Sequence, residues 1–290
     1  MGEPLLVGYP GYPYIRAGYN NGKDMFEYAK LQSSDTAKVT LVQKGKYLAE
    51  QNAMDIHYSD EQGDRSDEVF ANFREVNVGN LKDNTLYRSA SPCDNQHKRA
   101  EQSDRLIKEA GVNFIINLAD KATDLAVHAQ KISAGEYNCP HFLSLYNQNK
   151  VVPLSMNMAY KSDGFSQKLA EGLTAAANNP GPYLVHCVEG KDRTGFVCMV
   201  IEALAGATYD EMVADYMITY DNYYGINLTS DPDKYQIIKE KNIDTMLRYV
   251  TGDNGVDIKT ADYAQYCKAY LLKIGMTQSA IDALENNFVK

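Results

Sequence analysis

Ten residues, HCVEGKDRTG from His186 to Gly195, separate two stretches with opposite backbone preferences. Before them, Pro182-Tyr-Leu-Val-His186 is a short apolar run of the kind that fills a buried strand. After them, TGFVCMVIEALAG is a longer apolar run that stops at Gly206, which is a helix pattern. A strand that feeds a helix through so short a link must turn at the helix N-terminus. Backbone N–H groups converge there without intrahelical partners, and the helix dipole adds partial positive charge. Such an end is a site for a phosphate-like dianion. Gly190 relieves the steric limits of a tight cradle, and Arg193 offers two phosphate oxygens a planar fork that lysine cannot reproduce. The same field favours the thiolate of Cys187. Together these parts make a phosphate trap with a nucleophile at its floor.

The rest of the chain supplies a scaffold of the matching kind. TLYRSA and NFIINLA are short β-type runs, separated by a helical stretch from Gln96 to Ala110 that Gly111 closes, and HFLSLYN is a further short run. SDGFSQKLAEGLTAAANN is a helix ended by asparagine and Pro180, and Thr208 with Glu211 has capping-box spacing at the head of another. Two or three more helices follow, among them TADYAQYCKAYLLKIG and TQSAIDALENNFVK. Strands alternating with helices, then a helical tail, predict an α/β fold: a mainly parallel central sheet flanked by helices, with a helical C-terminal part. Residues 1–70 differ in texture. VGYPGYPYIRAGYNNG predicts turns joining short extended pieces, KVTLVQKGKYLAEQ a strand and a helical turn, and HYSDEQGDRSDE an exposed linker. The expected division is a small N-terminal extension over 1–70 and a catalytic domain over 71–290.

The net charge of −9 excludes the basic stripe of a non-specific nucleic-acid binder, although a local field can still favour an anionic substrate. No apolar run approaches the ~18 residues of a membrane span. MGEPLLVGYPGYP lacks the pattern of a signal peptide, so the expected setting is cytoplasmic, or secreted with a leader that this chain does not carry. The five cysteines are scattered, with no close pairs to suggest a zinc site or a disulfide framework, and read as reduced thiols. Cys198 fits core packing, whereas Cys93 is a candidate to protect Cys187 as a disulfide. The 22 tyrosines are expected to serve packing and surface.

HCVEGKDRTG resembles the His-Cys-five residues-Arg-Ser/Thr signature of the cysteine-dependent protein tyrosine and dual-specificity phosphatases. GKDRTG is most like a bacterial and fungal branch acting on phosphotyrosine and often on phosphoinositides. NFREV (Asn72 to Val76) is similar to that branch's Asn-Phe-Arg-Asp motif, with Glu75 in place of the aspartate, and LYRSASP (Leu86 to Pro92) is similar to its Tyr/Phe-Arg-Ser segment. INLAD departs from the usual Asp-Leu-Arg. The resemblance implies a tyrosine-phosphatase-like fold and a phosphocysteine mechanism without metal or cofactor. Cys187 would attack phosphorus. Arg193 and the loop residues Val188, Glu189, Gly190, Lys191 and Asp192 would bind the phosphate, and Thr194 would stabilise the departing thiolate. His186 would either order the loop or serve as a satisfied core histidine. Arg88 suits a structural role better than a ligand's.

The proton donor is expected at Asp192, the position the resemblance implies. The segment after HFLSLYN, where many tyrosine phosphatases keep an acid, has none, and Asp120 and Asp163 are the alternatives. Glu189 is the odd residue, because an acid in a phosphate loop repels substrate unless it points away or is protonated. As an ordinary loop charge it would pair with Lys191. An acid two residues after the cysteine, with Asp192 five after it, also resembles myotubularin-type and Sac-type phosphoinositide phosphatases, where Lys191 would take a second phosphate. The sequence therefore predicts a phosphomonoester hydrolase for phosphotyrosine, phosphoinositide or both. A phytase-like inositol-polyphosphate phosphatase and a non-catalytic phosphate-binding module are the alternatives. Rhodanese-type sulfur transfer is disfavoured by the Arg193-Thr194-Gly195 ending.

Overall fold

The computed structural model describes residues 4–8, 11, 13–19, 29–36, 38, 40, 43–252 and 255–290. These fall into two compact units, Met1–Ala49 and Glu50–Lys290. In the first, β1 (Pro4–Gly8) pairs antiparallel with β2 (Ile15–Tyr19), with Pro4 opposite Tyr19. The strand expected within residues 38–42 falls largely outside the described residues. The helical turn expected after it is the Leu48–Met54 helix.

The second unit is built on a five-stranded sheet of β3 (Arg74–Glu75), β4 (Leu86–Ser89), β5 (Phe114–Asn117), β6 (Val151–Pro153) and β7 (Tyr183–His186). The strand order is β3-β4-β7-β5-β6, with β3 antiparallel at one edge and the remaining pairs parallel. All residues of β4, β5 and β7 are buried, as expected of parallel strands covered on both faces. Their side chains alternate between two cores. Leu86, Phe114, Ile116, Tyr183 and Val185 join a large core shared with the Asp163–Ala177, Asp192–Leu204, Tyr263–Lys273 and Gln278–Phe288 helices. Tyr87, Ile115 and Leu184 face a smaller core with Ile107, Leu125 and Phe142, from the Ala100–Glu109, Ala122–Ser133 and Pro140–Asn147 helices. The result is a three-layer α/β/α sandwich, the fold class expected from the sequence.

Because β4, β5 and β7 are parallel and in register, they end together. Ser89 and Asn117 both pair with His186, so the three loops that follow gather at one edge of the sheet. Ligands in open parallel sheets bind outside this carboxyl edge.

The residues from Thr194 to Leu204 are all buried, so the helix after β7 is enclosed on every side and runs through the core. Gly195 is where the next helix, Tyr209–Tyr224, comes closest: a Cβ there would sit 2.5 Å from the Tyr216 ring. That helix is fixed to the sheet by a buried ion cluster. Asp215 accepts from Arg74 Nε (2.7 Å) and from Arg88 Nη1, and Arg88 is 1% exposed. Thr208 and Glu211 form the expected capping box, with Thr208 N donating to Glu211 at 2.7 Å.

Several local expectations differ from the structure. HFLSLYN is the body of the Pro140–Asn147 helix, not an extended run: Pro140 occupies the first turn, and Phe142 and Leu145 bury one face at helical spacing. The extended segment comes later, at Val151–Pro153, where three residues are too few for a pattern to show. The Ala122–Ser133 helix went unread, and the helix expected from Gln96 starts at Ala100 after a left-handed turn at Lys98. Residues 50–70, assigned by composition to an extension, fall within the second unit. Ala53 and Phe70, at the two ends of this segment, are buried. Its middle is held by polar contacts: Asp60 Oδ1 and the Ser59 carbonyl each accept from the buried Arg99 guanidinium at 3.0 Å, so the segment resembles a linker in composition.

Removing Asp215 takes away the carboxylate that both buried guanidinium groups bond to, leaving Glu202 as their acidic neighbour. Asp215→Ala should destabilise the catalytic unit by about 3–5 kcal/mol, measured as a lower urea midpoint at unchanged m-value.

Candidate active site

The loop from Cys187 to Lys191 leaves β7 at the carboxyl edge and enters the Asp192–Leu204 helix. Its carbonyls are held from behind, one after another. His186 Nδ1 lies 3.0 Å from the Cys187 oxygen, which only a protonated Nδ1 can satisfy. Ser91 N donates to Val188 O at 3.0 Å, and the Tyr223 hydroxyl donates to Glu189 O at 2.6 Å. Gly190 O accepts from Arg88 Nη2 (3.0 Å) and Asn72 Nδ2 (3.2 Å). In a trans peptide the carbonyl and the following N–H point opposite ways. Four carbonyls drawn back into the domain therefore aim the amides of Val188, Glu189, Gly190 and Lys191 forward, where the helix's own unpaired N–H groups join them.

Gly190 is required twice over. It has φ +68°, and a Cβ would lie 2.2 Å from the Ser89 carbonyl oxygen, backbone that cannot yield. Asn72, itself left-handed at φ 50°, donates also to Thr219 Oγ1 (3.1 Å) and accepts from Arg74 Nη1 (3.0 Å) and Asn222 Nδ2 (3.0 Å). The Asn-Phe-Arg segment and Arg88 thus form the back of the loop and do not contact the ligand space.

Met158, Cys187, Val188, Glu189, Asp192 and Arg193 line a cavity of about 130 Å³, room for one phosphoryl group and the atom that carries it. Cys187 is 3% exposed at its floor. Arg193 Nη1 donates to Met156 O (3.1 Å), in the segment after β6, and its Nε is buried without a partner. The Thr194 hydroxyl is likewise buried and unpartnered. Val188, Glu189 and Lys191 occur where the sequence placed them, but Lys191 is not open. Its Nζ lies 3.6 Å from Glu189, 3.7 Å from Asp192 and 3.3 Å from the Tyr224 hydroxyl, against the Tyr220 and Tyr224 rings. Burial would discharge it, but those neighbours outweigh burial and hold it cationic.

The three candidate acids separate clearly. Desolvation pushes the Asp192 carboxyl above its ordinary range, with Glu189 adding and Lys191 and Arg193 opposing, in the direction a proton donor beside the cavity needs. Asp120 is held the other way: burial raises it, but His128 and a 2.8 Å bond from Asn117 Nδ2 bring it below its usual value, as an anion. Asp163 is exposed in the first turn of its helix, behind the Ser162 cap. Cys93 forms no disulfide. Its thiol is buried 3.4 Å from Ser91 Oγ, and desolvation together with Asp120 pushes it well up. Sequence reasoning missed the backing groups Ser91 and Tyr223 and the Met156 carbonyl, which carry no motif of their own.

A buried thiol and an arginine in a forward-facing nest of amides, between a parallel strand and a helix, define a cysteine-dependent phosphatase. The chain belongs to the tyrosine phosphatase family, whose family model matches residues 68–290. No curated protein matches it. Among solved structures it is similar to the core catalytic domain of PP-IP phosphatase SIW14 from S. cerevisiae, determined in complex with citrate. That match has 20% identity, a TM-score of 0.33, and covers 65% of this chain and 96% of that one.

His186 gives the loop a pH dependence. Burial lowers its pKa to about 4, the bond to the Cys187 carbonyl only partly opposing, so it is neutral in the fold. In the unfolded chain it titrates near 6.5. Between these values the unfolded state binds the extra proton, so this stability is complete above pH ~6.5 and is lost as pH falls towards 4, roughly 3 kcal/mol in all. His186→Asn, which keeps a donor near the carbonyl, should flatten that part of the stability–pH curve in urea titrations from pH 7.5 to 4.5.

Proposed function

We propose that this phosphatase hydrolyses phosphomonoesters through a phosphocysteine, with phosphotyrosine or phosphoinositide groups as substrates. The observation that carries the reading is the set of four tethered carbonyls, because it fixes the amides towards a phosphoryl group before any substrate arrives.

In the first step Cys187 Sγ attacks phosphorus in line. The Sγ–P bond forms as the ester P–O bond breaks, and Asp192 delivers a proton to the departing oxygen. Arg193, whose Nε lacks a partner, and the loop amides hold the equatorial oxygens as charge shifts onto them. In the second step Asp192 accepts a proton from water while the water oxygen attacks phosphorus, and Sγ leaves. The Thr194 hydroxyl, buried with no other acceptor, donates to that thiolate. His186 keeps the Cys187 carbonyl turned back and acts only through the loop. A non-catalytic binding module fits poorly, because it needs neither the cysteine nor a raised Asp192. The phytase-like reading is favoured where Lys191 and other basic residues ring the pocket, and here Lys191 is engaged by Glu189 and Asp192.

Cys187→Ser should abolish turnover while vanadate or tungstate still binds, since the amides and Arg193 remain. Substantial phosphatase activity in that variant would overturn the phosphocysteine route.

Asp192→Asn should slow alkyl phosphates about 10²–10⁴-fold but aryl phosphates with good leaving groups far less, because a stable leaving anion hardly needs the proton. Single-turnover rates across a leaving-group series measure this. The same dependence appearing in Asp120→Asn instead would move the acid outside the loop.

A further inference from the structure

We infer that Glu189, clamped by Tyr58 from one side and Lys191 from the other, is a specificity residue that denies the site a second phosphomonoester dianion, leaving phosphotyrosine and singly phosphorylated phosphoinositide headgroups as substrates. This rests on the phosphatase reading above and concerns which phosphomonoesters the same cradle prefers.

The Tyr58 hydroxyl donates to Glu189 Oε1 at 2.6 Å, and Lys191 Nζ lies 3.6 Å from Oε2, so each carboxylate oxygen has its own partner. Tyr58 is itself fixed. Its ring stacks on Tyr223 at 5.0 Å between centroids, the residue whose hydroxyl holds the Glu189 carbonyl, and the Arg99 guanidinium lies 4.7 Å from the ring. Burial and the Glu189 charge both push the Tyr58 hydroxyl up, so it stays a donor. Tyr58 lies ahead of residues 68–290, the span matched by the family model, so a flanking segment supplies this contact.

The consequence is electrostatic. Of the six residues lining the cavity, Arg193 is the sole cation, and the reacting phosphate uses it. Lys191, the nearest additional cation, is occupied by Glu189 and Asp192. A second phosphate on the substrate would have to break the Glu189–Lys191 pair and then lie beside a carboxylate held in place by Tyr58. A ligand whose remainder is uncharged meets no such cost, and the cavity wall at Met158, 43% exposed, offers it apolar contact. Glu189 thus acts as an element set against multiply phosphorylated ligands, achieved by occupying the cation they need.

The test compares kcat/KM for a phosphotyrosine peptide with that for inositol hexakisphosphate, at fixed ionic strength, in the full chain. Wild type should favour the peptide. Glu189→Gln, which keeps the shape, removes the clamped charge and leaves Lys191 with one carboxylate partner, Asp192, in place of two, should move the ratio towards the polyphosphate about tenfold, the scale of one charge-assisted hydrogen bond. Tyr58→Phe should move it the same way by a smaller factor, and it provides the readout should Glu189→Gln fold poorly. Adding Lys191→Met to Glu189→Gln should cancel the gain. A ratio that stays put or moves towards the peptide in both single variants overturns the inference, as does a wild-type preference for the polyphosphate. Failure of the phosphatase reading would appear separately, as turnover of either substrate surviving Cys187→Ser.

Discussion

Everything at this site depends on the direction in which a few peptide units face. An oxyanion cradle made of backbone needs its N–H groups to converge, and convergence costs the opposite face of each unit its solvent. The catalytic unit meets that cost with Ser91 N, Tyr223 OH, Asn72 Nδ2, Arg88 Nη2 and the His186 ring, one or more for each loop carbonyl. An unpartnered buried carbonyl costs about 1–3 kcal/mol. Without these donors the loop would relax, and its amides would scatter before a substrate reached them.

The backing groups also explain features that look unrelated to catalysis. Arg88 is among the largest fully buried side chains because it spans from Asp215 to the Gly190 carbonyl, joining the ion cluster to the loop. Asn72 adopts a left-handed backbone because its amide must meet Gly190, Thr219 and Arg74 at once. Beside Asp215 lies Glu202, also fully buried, whose carboxyl desolvation and the neighbouring carboxylate push well above its usual range. The cluster thus gathers two guanidiniums behind the cradle.

The core of this arrangement was legible in the sequence because it is local. An apolar run, a short link and a second apolar run force a strand, a turn and a helix, and Cys187, Gly190, Arg193 and Thr194 then take up their positions. Asp192 beside Lys191 was legible for the same reason. What remained hidden was non-local or weakly patterned. Ser91, Tyr223 and Tyr58 are ordinary residues until the chain folds over them, and 22 tyrosines give no hint of which two matter. HFLSLYN carries both periodicities over seven residues, and only Pro140 ahead of it argued for a helix. The polar segment around Ser59 and Asp60 resembled a linker because, apart from the Tyr58 ring, it is anchored through hydrogen bonds, which leave no apolar periodicity.

The distribution of those backing groups along the chain has a bearing on assembly. A growing polypeptide that has reached Gly195 already contains the nucleophile, the arginine and the strand that carries them. It still lacks Asp215, which fixes Arg88, and Tyr223, which turns the Glu189 carbonyl. Contacts between segments so far apart in sequence form late, after their loops have closed. The thiol is thus present in the nascent chain before its environment is complete, and the backing of its loop is finished only when the Tyr209–Tyr224 helix is in place. Folding order would then keep an incomplete enzyme chemically quiet.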